Sequence, residues 1–126
     1  MARESKTYVS RETPALTESV QLVIARCDDF LFRPTLQLEG NFSGAFTITG
    51  LEIATLRSLN ASGAVLGPWT DITISLPISA SVVIELPVCF AVRVSGAGGD
   101  GSTSVRVLLG GIAYTTHPEG VTQGPT

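Results

Sequence analysis

The sequence predicts an all-β protein: a single antiparallel β-sandwich or jelly roll with an extended N-terminal arm and a C-terminal tail. Three observations predict it. Apolar and polar residues alternate with a period of two in one run after another, as they do on strands with one buried and one wet face. Turn residues separate these runs at intervals of roughly 8 to 12 residues, the spacing of a sandwich. No stretch joins a capping residue to the ten-residue apolar period that a helix needs, and no connection is long enough for a parallel crossover.

At 126 residues the chain is one domain, able to bury roughly two-thirds of the surface its unfolded form exposes. Residues 1–18 are polar, mixed in sign and interrupted by Pro14, which predicts an extended arm rather than a packed element. The sandwich is expected over residues 19–114 and a flexible tail over 115–126, where Pro118, Gly120, Gly124 and Pro125 fall.

Val20–Arg26 is β-branched and reads as a first strand, mostly buried, before the turn Cys27-Asp28-Asp29-Phe30. Leu36–Glu39 alternates as the second strand, and Gly40–Gly44 turns the chain into a third that contains Phe46 and Ile48. Leu51–Arg57 admits a short helix, but the β-branched Ile53 and Thr55 favour a strand. Asn60-Ala-Ser-Gly63 turns a small-residue loop. Trp69–Ser75 and Ser81–Leu86 are further strands, stopped by Pro77 and Pro87. The last two runs, Cys89–Ser95 and Ser102–Leu109, flank Gly96-Ala-Gly-Gly-Asp-Gly101 and are expected to pair as a hairpin. Their continuation through Gly110-Gly111 to Tyr114 suggests a bend at the glycines. The shared period places Leu38, Ile72, Ile74, Ile84, Val92, Val94, Val105 and Val107 in one core.

The composition is 44% hydrophobic and 15% charged, against a usual charged share of about 25%. Such a neutral, hydroxyl-rich surface suits contact with other protein surfaces and does little to keep monomers apart. Net charge is −3 and Lys6 is the only lysine, so nothing matches a nucleic-acid backbone. Met1–Tyr8 lacks the apolar run of a signal peptide, and no run approaches the ~20 apolar residues of a membrane span. These features predict a soluble protein made in the cytoplasm, with neither nucleic acid nor membrane as partner. Cys27 and Cys89 lie in apolar runs. They read as buried thiols, and a disulfide requires that their strands face each other.

The chemical motifs give no catalytic, cofactor or metal residue. Gly96–Gly101 matches the dinucleotide pattern G-x-G-x-x-G, but a strand follows it where a helix N-terminus must hold the pyrophosphate. Asp28, Asp29, Asp71, Glu85 and Asp100 lack calcium-loop spacing. His117, the only histidine, sits beside Pro118 in the tail, and no nucleophile elbow exists. Asn41-Phe-Ser43 and Asn60-Ala-Ser62 are glycosylation sequons that read as ordinary turns. Trp69 reads as the cap of a sheet end, with sugar stacking as its alternative role.

Phe42-Ser-Gly-Ala-Phe-Thr-Ile48, Trp69-Thr-Asp-Ile72, Phe90–Ser95 and Ser104–Gly111 together resemble the small β-sandwich virion proteins of tailed bacteriophages, capsid decoration (cement) proteins among them. The resemblance covers roughly residues 36 to 114. It implies a role and no functional residue: non-enzymatic binding to the major capsid protein, on the capsid surface of a virion. It further implies a homo-oligomer, a trimer first and a dimer second. A tail, fibre or baseplate accessory domain is the neighbouring reading, and a carbohydrate-binding module the more distant one. In the arm, Arg3, Tyr8, Val9, Arg11 and Leu16 are the candidate partner-binding residues. Tyr8 would anchor, and Arg3 and Arg11 would reach carboxylates on an adjoining subunit.

Overall fold

The computed structural model describes residues 2–27, 34–72 and 74–118, with side chains between residues 10 and 112 of those ranges. The described residues form eight strands and no helix: β1 (Ala2–Glu12), β2 (Leu22–Arg26), β3 (Thr35–Asn41), β4 (Thr47–Ala54), β5 (Thr70–Asp71), β6 (Val82–Glu85), β7 (Ala91–Ala97) and β8 (Ser104–Pro118). They make two four-stranded antiparallel sheets, ordered β1-β8-β3-β6 and β2-β7-β4-β5. The pairings nest. β1 lies on β8, β2 on β7, β3 on β6 and β4 on β5. The chain therefore follows the path of one long hairpin, folded over so that consecutive strands alternate between sheets everywhere except from β4 to β5.

Period two decides what fills the space between the sheets. Leu36 and Leu38 of β3 and Val105, Val107 and Leu109 of β8 point inward from the first sheet. Val92 and Val94 of β7, Ile48, Leu51 and Ile53 of β4, and Val23 and Ala25 of β2 meet them from the second. Each such aliphatic side chain contributes about 1.5–3 kcal/mol when fully buried. Five of the expected core residues (Leu38, Val92, Val94, Val105, Val107) are fully buried. Ile72, Ile74 and Ile84 are half-buried against the same core, because they lie where the two sheets part at β5 and β6.

Inside β4 the register against β7 shifts between Ile48 and Gly50. This bulge carries Ile48, Leu51 and Ile53 all to the inner face despite their uneven spacing. Leu51–Arg57 lies in the strand as far as Ala54. Its trace of helical period arises because Leu51 and Ile53 face the main core while Ala54 is buried on the other face, in the cluster with Phe90 and Trp69.

Two expectations are corrected. β7 and β8 are not a hairpin: they belong to different sheets and face each other across the core. Alternation reports which side chains point inward, and that is the same for a paired hairpin and for an arch that crosses between sheets. Residues 1–18 are likewise not an arm outside the packed elements. Ala2–Glu12 pairs with β8 from Ala2↔Pro118 to Glu12↔Leu108. The register slips by one around Pro14, and Leu16 then exchanges both backbone hydrogen bonds with Val105, at 2.8 and 2.9 Å. β8 accordingly runs on to Pro118, past the expected boundary at residue 114. The remainder of the expected tail, 119–126, lies outside the described residues.

Candidate functional site

The glycine loop that resembles a dinucleotide motif is one half of a structural clasp. Two of the chain's crossings between sheets lie at the same end, through 42–46 and through 98–103, and these two arches bind each other. Gly99 N donates to Gly44 O at 2.9 Å, and Thr103 Oγ1 donates to Ser43 O at 2.9 Å. Ser43 Oγ donates to Asp100 Oδ1 at 2.6 Å, and Asn41 Nδ2 donates to Ser102 O at 2.9 Å. The Ser43 hydroxyl, then the Ser102 amide, hold the Asp100 carboxyl below its ordinary value. Gly44, Gly98 and Gly99 take positive φ, and a Cβ on Gly44 would lie 2.4 Å from Gly99 carbonyl carbon. Only glycine permits that approach. These backbone groups satisfy one another, so the loop is committed to the fold.

The outer faces of the two sheets differ in character. On the first sheet, Arg106 of β8 donates to Glu12 of β1 at 2.9 Å and to Glu39 of β3 at 2.8 Å, tying three neighbouring strands across a charged surface. On the second sheet, the edge strand β2 turns its larger side chains outward. Leu22 is 50% exposed and Ile24 38%, and Val20 just before them is 41% exposed, while the smaller Val23, Ala25 and Cys27 are buried. Ile24 stands opposite Arg93, and Leu22 opposite Ser95. Arg93 is itself fixed: its guanidinium pairs with Glu52 at 2.8 Å and covers one face of Trp69 at 4.6 Å. Trp69 is half-buried, and with Leu59 and Val65 it packs on Ala54, Phe90 and Ala91. It thus packs over the end of the second sheet, where β4 finishes at Ala54 and β7 starts at Ala91. Arg26 and Arg57 lie over the Phe90 ring at 5.2 and 5.5 Å, within cation–π range.

A cleft of about 570 Å³ opens where β5 and β6 part, lined by Ile53, Ile72, Ile74, Val82 and Ile84 with Asp71 and Glu85. Val83 on β6 and Val88 beyond it are 63% and 65% exposed.

The residues singled out in the sequence separate in the structure. Arg3, Tyr8, Val9 and Arg11 all lie in β1, opposite His117, Ile112, Gly111 and Leu109 of β8. Arg11 is exposed. Leu16 is 0% exposed and belongs to the core, so as a partner-binding residue it is corrected: its side chain faces Val105's sheet interior, not a neighbour. Asp28 and Asp29 lie outside the described residues. Among the described residues, no three His, Cys, Asp or Glu side chains gather as metal ligands, and no helix is long and apolar enough to cross a membrane. Of the two sequon asparagines, Asn41 ends β3 opposite Ser104, and Asn60 forms a turn. Asn60 Oδ1 accepts from Ser62 N and Ala64 N, each at 2.9 Å. The exposed row on β2 was hidden in the sequence because both faces of that strand are apolar. Its one signal is that the bulkier residues share a face.

Comparison of the chain with protein-family models, with curated proteins and with solved structures finds no match.

Proposed function

We propose that the chain is a structural virion protein, a jelly-roll capsid decoration (cement) subunit that binds the outer surface of a phage head and stabilises capsomer junctions. The observation that carries this reading is the exposed aliphatic row of Leu22 and Ile24 on β2, with Val20 just before the strand, set against the charged outer face of the first sheet. An edge strand that presents large aliphatic side chains marks a contact site. The nested pairings support the jelly roll, because two facing sheets in this order are the arrangement of viral capsid and lectin domains. The resemblance of residues 36–114 to phage virion proteins supports the placement on a virion. In this reading the partner is the major capsid protein, and the subunits associate as a homo-oligomer, first as a trimer. Arg3, Tyr8, Val9 and Arg11 on β1 offer a second contact along the opposite edge strand. Sugar recognition is less well supported, because Arg93 already covers one face of Trp69.

The test is co-sedimentation with heads assembled from the accompanying major capsid protein, using wild type and a Leu22→Asp, Ile24→Asp double variant. Both positions are exposed, so circular dichroism and melting should match wild type. Occupancy should fall by about tenfold or more if these residues are central to the contact. Equal occupancy overturns the reading. Binding to isolated tails alone would move the protein to the tail, and binding on a glycan array alone would make it a carbohydrate-binding module.

A further inference from the structure

The Sγ atoms of Cys27 and Cys89 lie 3.7 Å apart in the core and share one S–H···S hydrogen bond. Cys27 follows β2 and is 2% exposed; Cys89 precedes β7 and is 8% exposed. The backbone around them is already zipped, since Cys27 N donates to Phe90 O at 2.7 Å. We propose that Cys27 and Cys89 are a redox modification site, a dithiol that closes to an intramolecular disulfide on exchange with a small disulfide such as oxidised glutathione.

Geometry carries the inference. A disulfide needs its sulfurs at about 2.05 Å and its two backbones side by side. Here the strands are neighbours in one sheet, and only side-chain closure from 3.7 Å remains. The thiols sit at one end of the pair, so closure does not cross the sheet or break its ladder. Cys89 is the entry point. It is the more exposed of the two and lies in the irregular link after Pro87, beside the exposed Val88. The hydrogen bond with Cys27 lowers the Cys89 thiol below its ordinary value, against burial, which pushes it up. That favours the thiolate that attacks.

The reaction balances through thiol–disulfide exchange. Cys89 thiolate attacks one sulfur of the small disulfide, forming a mixed disulfide and expelling one thiolate. Cys27, deprotonated, attacks Cys89 Sγ, forms the Cys27–Cys89 bond and expels the second thiolate. The protein loses two protons and two electrons, and the small disulfide takes them up as two thiols. The product links positions 62 residues apart and encloses β3 to β6. It pins the edge strand β2 to β7, and its main effect is to restrict the unfolded chain.

The experiment treats the full chain with oxidised glutathione under native conditions, then measures intact mass after alkylation, and melting with and without reductant. The expected product has lost two hydrogens, takes no alkyl group until reduced, and melts higher by about 5 °C or more. A Cys27→Ala, Cys89→Ala variant should show no such reductant dependence. A persistent glutathione adduct, a disulfide-linked dimer, or two thiols that remain fully alkylatable would each overturn the proposal. Closure without a rise in melting temperature would overturn the staple. The wild-type mass measurement decides the chemistry even if the alanine variant does not fold.

Discussion

Phe46 fills the space that a side chain at Gly96 would need. A Cβ on Gly96 would stand 2.3 Å from Phe46 Cζ and 2.9 Å from Cε1. The ring enters from the arch before β4 and lies flush on the backbone of β7, and at 1% exposure it has nowhere to retreat. Gly96→Ala should therefore cost about 1–3 kcal/mol through overpacking. Phe46→Leu in the same chain should recover part of that loss. Urea denaturation of the two single variants and the double variant measures the coupling, and strict additivity would contradict the contact.

Leu16 should behave as a core residue despite its polar surroundings in sequence. Leu16→Ala should cost about 2–5 kcal/mol, the range for a buried leucine. Removal of residues 2–16 should lower the melting temperature further, because it also bares the edge of β8. Unchanged melting of the truncated chain would show that β1 is not part of the folded sheet.

Asp100 should make the clasp acid-sensitive. Its carboxyl is held below the ordinary 3.8, first by the Ser43 hydroxyl and then by the Ser102 amide. A carboxylate whose folded value is depressed stabilises the fold in full above its unfolded value, near 3.8, and loses that contribution as the pH falls through the lower folded value. Asp100→Asn should thus be less stable than wild type at pH 7, with the gap closing below pH 3.8. Unfolding midpoints of the two proteins across that range provide the check.

Arg106 should matter for β1 more than for global stability. Its side chain is 48% exposed, and so are those of Glu12 and Glu39 at 46% and 35%, so salt screens both pairs. The Arg106 guanidinium holds the Glu12 carboxyl below its ordinary value. Arg106→Ala should speed amide exchange at the Glu12 end of β1 severalfold and leave β7 unchanged, with the difference shrinking at high salt. Equal exchange in both strands would rule out this selective role.

The inward set was legible because alternation is local: Val92, Val94, Val105 and Val107 declare their face within seven residues of their own strand. Pairing was not legible, since the partner of each strand is chosen by distant residues. β7 and β8 look like hairpin partners until the arch at Ser43–Gly44 is seen to hold their connection. Leu16 is a lone apolar residue until Val105 arrives beside it. The β2 row escaped for another reason. A strand with aliphatic side chains on both faces gives no period, and only burial separates Leu22 and Ile24 from Val23 and Ala25. Tyr8 and its neighbours on β1 pair with β8, a strand about a hundred residues away in sequence, so no local pattern could reveal that partner.

The nested pairings set an order of assembly. β4 and β5 can meet early, whereas β1 must wait for β8, because Ala2 pairs with Pro118 and Glu12 with Leu108. On the ribosome, then, β1 emerges before β8 and stays without that partner while β2 to β7 are made. A fold so dominated by distant partners has high contact order and closes slowly. Throughout that wait its apolar strand edges are open to other chains. Slow, concentration-sensitive refolding is the consequence of pairing β1 with β8.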